Sequence, residues 1–378
     1  MKILYLMTEP FGYGGVQSDL LALSEDLSKR DHDVLVATSE GELLDELKAK
    51  GATFIDIDFH FGLSSPLKFF KSVMALRKAI KEHQVEMLAP QSVRSTLVSW
   101  IALRVLPFSY RVAKTARRVP IVTTIHNIHN PVHFRYAGRI LNLCTDHVIF
   151  ESHYERNRCM ASGLPDDKCE VVHSGIDTDR FAPQPVSQAL LEQYGLDKSR
   201  NKIFGIVARL SEEKGHPYLF RAFKKVLEKE PDARLLVVGD GPLKEQVTAE
   251  RDALGLQDTV IFTGAQRNIP DYLSIFDVFV LSSTRESFPL AAREAMAAGR
   301  AVIAPRIGGC PEVVDENKTG YLFEAANVDD LAEQMLKIIA DDKYIEFGER
   351  SRQRVVDLFS RKQWIIGDEK AYLSFTGS

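Results

Sequence analysis

Residues 3–37, ILYLMTEPFGYGGVQSDLLALSEDLSKRDHDVLVA, contain the pattern that decides the fold. A short apolar run (Ile3–Met7) is followed by a glycine-rich turn, a helix-patterned stretch (Val16–Arg30) and a second apolar run (Val34–Ala37). Short, wholly apolar strands separated by helices are typical of a parallel sheet that is covered on both faces. We therefore predict that the chain begins with a β-α-β unit.

The same alternation continues along the chain. Further strands of the first half are predicted at Thr53–Ile57, Val85–Ala89, Val119–Ile125 and Val148–Phe150, and helices at Leu67–Glu82 and Ser95–Leu106. After a polar stretch, strands are predicted again at Lys202–Ala208, Arg234–Val238, Thr259–Phe262, Val278–Leu281 and Ala301–Ala304. Because 378 residues are too many for one compact core, the pattern predicts an α/β protein of two Rossmann-like, doubly wound parallel-sheet domains that face each other across a cleft.

The composition excludes several classes of protein. With 45% hydrophobic and 26% charged residues, it is ordinary for a globular domain. No stretch approaches the ~20 apolar residues of a membrane-spanning helix, and the first residues are too short for a secretory signal. No Cys-x-x-Cys pair occurs among the four cysteines, so we expect free thiols in the cytoplasm: Cys144, Cys159, Cys169 and Cys310.

The charge is unevenly distributed. Residues 66–145 hold thirteen Lys and Arg against two acids, a net +11, so the rest of the chain carries −15 of the total −4. Aromatic residues are interleaved with these cations: Trp100, Phe108, Tyr110, Phe134 and Tyr136. This favours docking of the segment on anionic lipid headgroups at the cytoplasmic face of the inner membrane. The alternative is a set of core aromatics with a solvated basic rim; no nucleic-acid module is recognised.

Two stretches have the residues that diphosphate binding requires. Gly12, Gly14 and Gly15 follow the first strand and open a helix, where free N–H groups favour phosphate, although a plain tight turn is the alternative. Gln17 leaves the dinucleotide fingerprint incomplete. Arg209 ends the first strand of the second domain and Lys214 precedes its helix, so they can supply positive charge to a leaving diphosphate without a metal. Two solvated surface cations are the alternative.

The stretch from Glu286 to Gly299 is the most informative one. Pro289 is predicted in the first turn of a helix and Gly299 at its C-terminal cap, so Glu286 lies just before the helix and Glu294 within it. Eight residues at 1.5 Å rise would separate the two carboxylates by about 12 Å. A glycosidase acid–base pair needs about 5–9.5 Å. We therefore expect separate hydrogen-bonding roles for the two glutamates.

Two further features are less specific. Gly239 begins the turn Gly239-Asp240-Gly241-Pro242 after a strand, which is more often structural than ligand-binding. His126, His129 and His133 follow a strand with a spacing that invites a metal interpretation, but Pro131 interrupts the helix that would align them. We expect no metal site, and of the three we favour His126 for a direct ligand contact.

Taken together, these residues resemble glycosyltransferase family 4, the retaining transferases with the GT-B fold. Glu286 and Glu294 match the family's E-x7-E motif, and Arg209 with Lys214 resembles its diphosphate clamp. Further motifs follow in the family's order: Gly14-Gly15, Thr124–His126, Ser174–Asp177, Gly239–Gly241, Gly308–Glu312 and Thr319-Gly320. The chain departs from the pattern at Ser174, Ala208 and Cys310, which affects loop detail and leaves the arginine-bearing motif intact.

The resemblance implies a role for each site residue. Arg209 and Lys214 are expected to hold the diphosphate, assisted by the backbone of Gly15. Glu294 is expected to bind the ribose, and Glu286 the transferring sugar, helped by N–H groups near Phe288 and Leu290, with His126 contacting the sugar. It also implies an acceptor-side domain (1–185), a nucleotide-sugar-binding domain (186–360) and a last helix (361–378) that packs back onto the first domain.

The implied function is transfer of a hexose or N-acetylhexosamine from a nucleotide-sugar, with a UDP-sugar expected, to a glycan or lipid-linked acceptor in bacterial cell-surface glycan biosynthesis. No separate cofactor and no metal are expected. Two alternatives stay open on the sequence alone. One is a sugar-nucleotide epimerase or nicotinamide oxidoreductase, against which the incomplete glycine fingerprint argues. The other is a non-catalytic nucleotide-sugar-binding partner, against which the intact charged motifs argue.

Overall fold

A computed structural model describes residues 1–12, 14–59, 65–106, 110–112, 118–126, 131–340 and 342–376. These residues form two compact units: Met1–Gly175 together with Arg361–Ser378, and Ile176–Ser360. Each unit is a parallel sheet between helices. None of the helices in the described ranges combines the length and the apolar character that spanning a bilayer requires.

The described residues of the first unit form seven parallel strands. They are β1 (Lys2–Leu6), β2 (Asp33–Thr38), β3 (Thr53–Asp56), β4 (Met87–Pro90), β5 (Val122–Ile125), β6 (His147–Phe150) and β7 (Cys169–Val171). They pair in the orders β3-β2-β1-β4 and β5-β6-β7. A parallel bridge from Leu88 to Ile121 links β4 to the start of β5, with the Leu88 N–H donating to the Pro120 carbonyl at 3.0 Å.

Helices cover this sheet. They are α1 (Gly15–Ser28), α2 (Leu44–Ala49), α3 (Pro66–Glu82), α4 (Val93–Trp100), which continues as a π-helical turn (Ile101–Val105), α5 (Pro131–Cys144) and α6 (His153–Ala161). Strand β1 shows why its sequence is apolar throughout. Ile3 and Tyr5 belong to the core on one face of the sheet, and Leu4 and Leu6 belong to the core on the other. Both faces of a parallel strand are therefore buried, as the sequence predicted.

The second unit contains a six-stranded parallel sheet in the order β10-β9-β8-β11-β12-β13. Its strands are β8 (Ile203–Val207), β9 (Arg234–Val238), β10 (Val260–Gly264), β11 (Val278–Val280), β12 (Ala301–Pro305) and β13 (Gly320–Phe323). Its helices are α7 (Gln188–Tyr194), α8 (His216–Leu227), α9 (Lys244–Ala253), α10 (Ile269–Ile275), α11 (Leu290–Ala297), α12 (Cys310–Val313), α13 (Val328–Ala340) and α14 (Lys343–Leu358). The two predicted doubly wound sheets are thus confirmed.

The division between the units lies earlier than the expected boundary at residue 185. The segment from Ile176 onward belongs to the second unit because its contacts are there. The Ile176 N–H donates to the Phe359 carbonyl at 2.7 Å, Phe181 is buried in the core of the second unit, and Arg352 donates to the Thr178 carbonyl at 2.7 Å. A polar, proline-containing stretch can therefore be an anchored edge of a domain and need not be a linker.

The last helix, α15 (Arg361–Thr376), packs in the first unit. Its Trp364 and Tyr372 are buried in the core beside β1, and the Tyr372 ring lies 6.4 Å from that of Tyr5. At its first residue, the Arg361 guanidinium binds Asp26 of α1 at 2.6 Å. Apolar burial thus fixes the helix along its length, and an ion pair fixes its start.

We predict that Trp364→Ala lowers the free energy of unfolding of the first unit by about 3–5 kcal/mol, because a fully packed aromatic side chain leaves a cavity. Gln363, its exposed neighbour on the same helix, provides the control variant Gln363→Ala. Urea unfolding followed by far-UV circular dichroism measures the difference. Equal unfolding midpoints for the two variants would show that α15 is not part of this core.

Candidate active site

The second unit offers a ligand-binding position at the switch point of its sheet. From β8 the chain moves outward through β9 and β10 on one side, and it returns at β11 on the other side of β8. Open parallel sheets bind ligands outside the carboxyl ends of the strands at such a point. Arg209 and Lys214 follow β8, and Glu286 follows β11. These three sequence-predicted residues therefore follow the two strands that flank the position that the topology favours.

The central contact at this point is an ion pair between Lys214 and Glu286. The Lys214 ammonium lies 2.7 Å from Glu286 Oε1, and both side chains are largely buried. The Ser283 hydroxyl donates to the same oxygen at 2.7 Å. Two of the three ammonium N–H groups remain for another acceptor. The arrangement presents a positive charge whose position is fixed by a neighbouring carboxylate.

The loops after β8 and β11 are joined by backbone and side-chain hydrogen bonds. The Ser282 hydroxyl donates to the Lys214 carbonyl at 2.8 Å, and the Thr284 N–H donates to the Glu213 carbonyl at 2.8 Å. Gly215 has a φ of +65°, and a Cβ there would lie 2.1 Å from the Ser282 carbonyl oxygen. Only glycine therefore permits this approach, which sets the direction of Lys214.

Arg209 lies in different surroundings from Lys214. It is exposed, and no carboxylate among the described residues forms an ion pair with its guanidinium. Its backbone is held in place, since the Ser211 N–H donates to the Arg209 carbonyl at 2.9 Å. A planar guanidinium with all its N–H groups available suits bidentate binding of a phosphate.

The Gly308-Gly309 turn after β12 packs closely against the backbone of Glu286. At Gly308, with a φ of +54°, a Cβ would lie 1.7 Å from the Glu286 carbonyl oxygen. At Gly309 a Cβ would lie 2.1 Å from the Ser287 carbonyl oxygen. These glycines thus allow the turn to pack directly on the backbone that carries the carboxylate.

At Gly239, too, a close backbone approach explains why the residue is glycine. With a φ of +143°, it would place a Cβ 2.0 Å from the Ala208 carbonyl oxygen, and its N–H donates to the Gly264 carbonyl at 2.9 Å. The turn after β9 therefore closes on the residue that precedes Arg209. Contact of Gly239 with a nucleotide stays a prediction.

Glu294 lies on α11 in a different environment from Glu286. Burial raises its pKa to about 7, against the lowering effect of the positive charges of Arg180 and Arg293. Within the described part of the chain, its carboxylate has no ion-pair or hydrogen-bond partner. Ligand hydroxyls that donate hydrogen bonds to this carboxylate would stabilise its charged form against the cost of burial.

The helix that carries Glu294 begins later than predicted. Leu290 is its first residue, and Pro289 is the residue before it, outside the first turn. Glu286 is therefore in a loop, and the separation of about 12 Å expected for a continuous helix does not apply between the two glutamates. Gly299, with a φ of +73°, follows the helix at its C-terminal end, as predicted.

The first residue of α11, Leu290, follows closely on the aromatic residue Phe288. The N–H of Leu290 is at the first helical position and has no acceptor within the helix. Phe288 is buried, and the Arg293 guanidinium stacks on its ring at 4.1 Å. Assistance of Glu286 by the N–H groups near Phe288 and Leu290 stays a prediction.

In the first unit, the Gly14-Gly15 turn follows β1 and starts α1. Gly14 is the residue before the helix, and Gly15 is its first residue. A Cβ at Gly15 would meet no atom within 4 Å among the described residues outside its own stretch of helix, so there is room for a ligand beside the first turn of α1. This is the geometry of a helix N-terminal anion site, although the phosphate itself stays a prediction.

His126 follows β5 and is hydrogen-bonded through both ring nitrogens. Nδ1 lies 2.6 Å from Glu151 Oε1, and Nε2 lies 2.7 Å from Gln91 Oε1. Because Gln91 Nε2 donates to the Ala89 carbonyl, its Oε1 faces the imidazole as an acceptor. Both ring nitrogens therefore donate, and His126 is an imidazolium.

Nearby acids explain this charge state. Burial alone would lower the pKa of His126, but Glu151, together with Asp19, outweighs burial and raises the pKa to about 9. Asp19 Oδ2 lies 3.7 Å from Nδ1. Asp368 of α15 belongs to the same buried group, and burial, followed by the charge of Glu151, raises its pKa well above the usual range.

Of the three histidines considered as metal ligands, the structure describes the side chain of His126. His129 and the side chain of His133 lie outside the described residues. One ligand atom from each of Asp19, His126 and Glu151 lies within 4.8 Å of the others. A histidine with a pKa of about 9 must lose its proton before it can bind a metal. Ion pairing already accounts for this cluster.

Several residues that shape the site were missed by sequence analysis. Ser283 and Ser282 orient Glu286 and Lys214. Gln91 and Glu151 fix His126, and both follow strands of the first sheet, which is the signal that could have identified them. His216 is the first residue of α8 and is buried; burial, and then the charge of Lys214, lower its pKa to about 4.

Family models match both halves of the chain. The model described as Glycosyltransferase Family 4 matches residues 13–180, and the model described as Glycosyl transferases group 1 matches residues 189–354. The first match ends five residues after Gly175, the last residue before the boundary between the two units. The epimerase and oxidoreductase alternative loses its support.

Curated relatives are glycosyltransferases. N-acetyl-alpha-D-glucosaminyl L-malate synthase of Bacillus anthracis is 29% identical over 267 residues, 68% of this chain and 68% of that protein. A GDP-mannose-dependent alpha-(1-6)-phosphatidylinositol monomannoside mannosyltransferase of Mycolicibacterium smegmatis is 33% identical over 55% of this chain and 57% of that protein. UDP-Gal:alpha-D-GlcNAc-diphosphoundecaprenol alpha-1,3-galactosyltransferase of Escherichia coli is 25% identical over 95% of this chain and 93% of that protein.

Solved structures share the architecture. A glycosyltransferase from Rickettsia africae has a TM-score of 0.84 at 22% identity, covering 99% of this chain and 98% of that one. Anabaena Alr3699/HepE in complex with UDP has a TM-score of 0.81 at 23% identity, covering 99% of this chain and 100% of that one. The chain belongs to the family 4 glycosyltransferases and has their GT-B fold of two Rossmann-like domains.

Proposed function

We propose that this chain is a retaining, metal-independent transferase that moves a hexose or N-acetylhexosamine from a UDP-sugar to a glycan or lipid-linked acceptor in bacterial cell-surface glycan biosynthesis. The observation that carries the proposal is the Lys214–Glu286 ion pair at the switch point, with the exposed Arg209 after the same strand and without an ion-pair partner among the residues that the structure describes. A diphosphate leaving group needs fixed positive charge at this place.

Each residue has a chemical task in this proposal. Arg209 and the free N–H groups of Lys214 bind the diphosphate, and the Glu286 carboxylate accepts a hydrogen bond from a sugar hydroxyl. Glu294 accepts hydrogen bonds from the ribose hydroxyls. Gly15 and His126 are assigned to the donor by the family resemblance, and this assignment stays a prediction. His126 would act there as a cation.

The proposed chemistry needs no protein nucleophile. The bond between the anomeric carbon and the diphosphate oxygen breaks as the acceptor oxygen approaches from the same face. The acceptor proton passes to the departing phosphate oxygen, so charge and atoms balance. Positioning the acceptor against a neutralised leaving group supplies the rate enhancement.

The donor and acceptor classes are supported by similar proteins. The Anabaena structure contains UDP, and the Escherichia coli relative is named for a UDP-galactose donor and a diphosphoundecaprenol-linked acceptor. The Mycolicibacterium relative is named for GDP-mannose. We favour a UDP-sugar and a lipid-linked acceptor that the enzyme meets at the cytoplasmic face of the inner membrane, with contact through the basic segment 66–145.

The function is tested with a panel of nucleotide-sugars in a thermal-shift assay, followed by radiolabelled transfer to lipid-linked glycans with the donor that binds. We expect Arg209→Ala to lower the transfer rate by about 10²-fold or more while the fold persists, because a transition-state charge contact is lost. Arg221→Ala, at an exposed arginine paired with Glu250, is the matched control. Equal rates for the two variants would remove the diphosphate clamp from the proposal.

Donor affinity should depend on pH through Glu294. Its pKa of about 7 in the free protein means that it is protonated in acid, whereas ribose hydroxyls bind its charged form. Affinity should therefore rise with pH up to about 7, and it should weaken about tenfold per unit of pH below that value. Isothermal titration with an intact nucleotide-sugar, whose diphosphate does not titrate in this range, measures the dependence.

The Glu294→Gln variant is the control for this pH profile. It should bind the donor more weakly, and between about pH 6 and pH 8 its affinity should change no more than that of the Arg221→Ala surface variant. If the affinity of Glu294→Gln depends on pH as steeply as that of the wild type, the group that titrates is not Glu294.

Metal removal should leave transfer intact. If Arg209 and Lys214 neutralise the leaving diphosphate, treatment with EDTA should change the transfer rate by less than about twofold. The measurement compares initial rates before and after chelation, with added magnesium or manganese. A loss of transfer that either ion restores would assign the neutralising role to a bound divalent cation.

A further inference from the structure

Helix α3 has an ordinary buried face and an unusual exposed face. Its buried residues recur at helical spacing and pack into the first unit: Ser72, Val73, Leu76, Ala79 and Ile80. The opposite side carries Leu67, Phe70 and Met74, whose exposed fractions are 79%, 55% and 45%. Their spacing of three and four residues places them in one row. Three large apolar side chains are therefore exposed together on one helix surface.

Lysines continue the same row toward the end of the helix. Lys71, Lys78 and Lys81 lie four, eleven and fourteen residues after Leu67, which is the spacing of one helix face, and all three are exposed. The only acid of the helix is Glu82, which lies 3.6 Å from Lys78. We call the six residues Leu67, Phe70, Lys71, Met74, Lys78 and Lys81 the α3 face.

We infer that the α3 face docks on an anionic lipid surface, with the apolar side chains in the headgroup–acyl boundary and the lysines on lipid phosphates. A helix that combines exposed Leu, Phe and Met with lysines along one face has the composition of an interfacial helix. Anionic headgroups complement the lysine charge, and long lysine side chains can reach them while the stems remain in apolar surroundings. The inference rests on the proposed membrane-linked acceptor.

Charge decides between this occupant and a second copy of the chain. Two α3 faces packed together would bring six lysines into one interface, where like charges disfavour association. Lipid phosphates instead supply the opposite charge along the whole lysine row. The surrounding segment strengthens this choice, since residues 66–145 carry a net +11.

The position of α3 in its own unit suits delivery of a lipid-linked substrate. The helix follows β3, so its first residues lie toward the carboxyl edge of the sheet. The Gly14-Gly15 turn and His126 follow strands at the same edge. The apolar end of the α3 face, with Leu67 and Phe70, is thus the end toward these residues.

The test is co-sedimentation of the full chain with vesicles of phosphatidylcholine alone or with a one-third share of phosphatidylglycerol. We expect binding to the anionic vesicles that weakens as salt is raised. Leu67→Ser with Phe70→Ser and Met74→Ser should lower the partition coefficient at least about tenfold. Lys71→Gln with Lys78→Gln and Lys81→Gln should lower it by about 10²-fold.

Matched control variants lie in the second unit. Ile345, Leu358 and Val356 are 60%, 49% and 36% exposed, so Ile345→Ser with Leu358→Ser and Val356→Ser replaces the same number of exposed apolar side chains. Lys224→Gln with Lys229→Gln and Lys337→Gln removes the same charge from exposed positions of that unit. We expect both control proteins to bind vesicles as the wild type does.

Three results would overturn the inference. One is equal binding of the wild type to neutral and anionic vesicles, and another is equal loss in α3-face and control variants. The third is a wild-type dimer in sedimentation equilibrium that the apolar α3-face variant abolishes while vesicle binding persists. Nucleotide-sugar binding in solution is measured on the same variants. It should be unchanged, so loss of docking and failure of the proposed transferase function are distinguished.

Discussion

The ion pair between Lys214 and Glu286 is the contact on which the arrangement of the candidate site depends. It joins the loops after two strands that are neighbours in the sheet but lie 72 residues apart in the chain. A largely buried pair of this kind is stable only if its remaining hydrogen bonds are satisfied. The Ser283 hydroxyl supplies such a bond to Glu286, and the remaining N–H groups of Lys214 are left for a ligand. Removal of either charge would leave the other buried without compensation.

The same construction recurs in the first unit with different chemistry. There, residues after neighbouring strands converge on His126, which Glu151 and Gln91 hold through both ring nitrogens. In each unit, a cation at the carboxyl edge of a parallel sheet is fixed by a carboxylate from an adjacent strand. In the second unit, however, Arg209 has no carboxylate partner within the described ranges. Arg209 can therefore bind an anionic ligand while the Lys214–Glu286 ion pair stays intact and keeps the loops in position.

The fold was largely predictable because buried parallel strands are short and apolar, and most strands were placed correctly. Strand β7 was missed because Glu170 interrupts its apolar character, and β13 because four residues starting with glycine give a weak signal. The residue types of the site were also predictable from motifs and from their position after strands. The pairing of Lys214 with Glu286 was not, since no local pattern specifies which loops a sheet brings together. Nor does any local pattern indicate that the turn at Gly308 must pass directly over the Glu286 backbone.

The central claim is that the two cations after β8 bind the diphosphate of the donor. A crystal structure with a bound nucleotide diphosphate tests it most directly. The account predicts phosphate oxygens within hydrogen-bond distance of both the Arg209 guanidinium and the Lys214 ammonium, with Lys214 still paired to Glu286. A diphosphate bound elsewhere, with Arg209 and Lys214 both turned toward solvent, would contradict it.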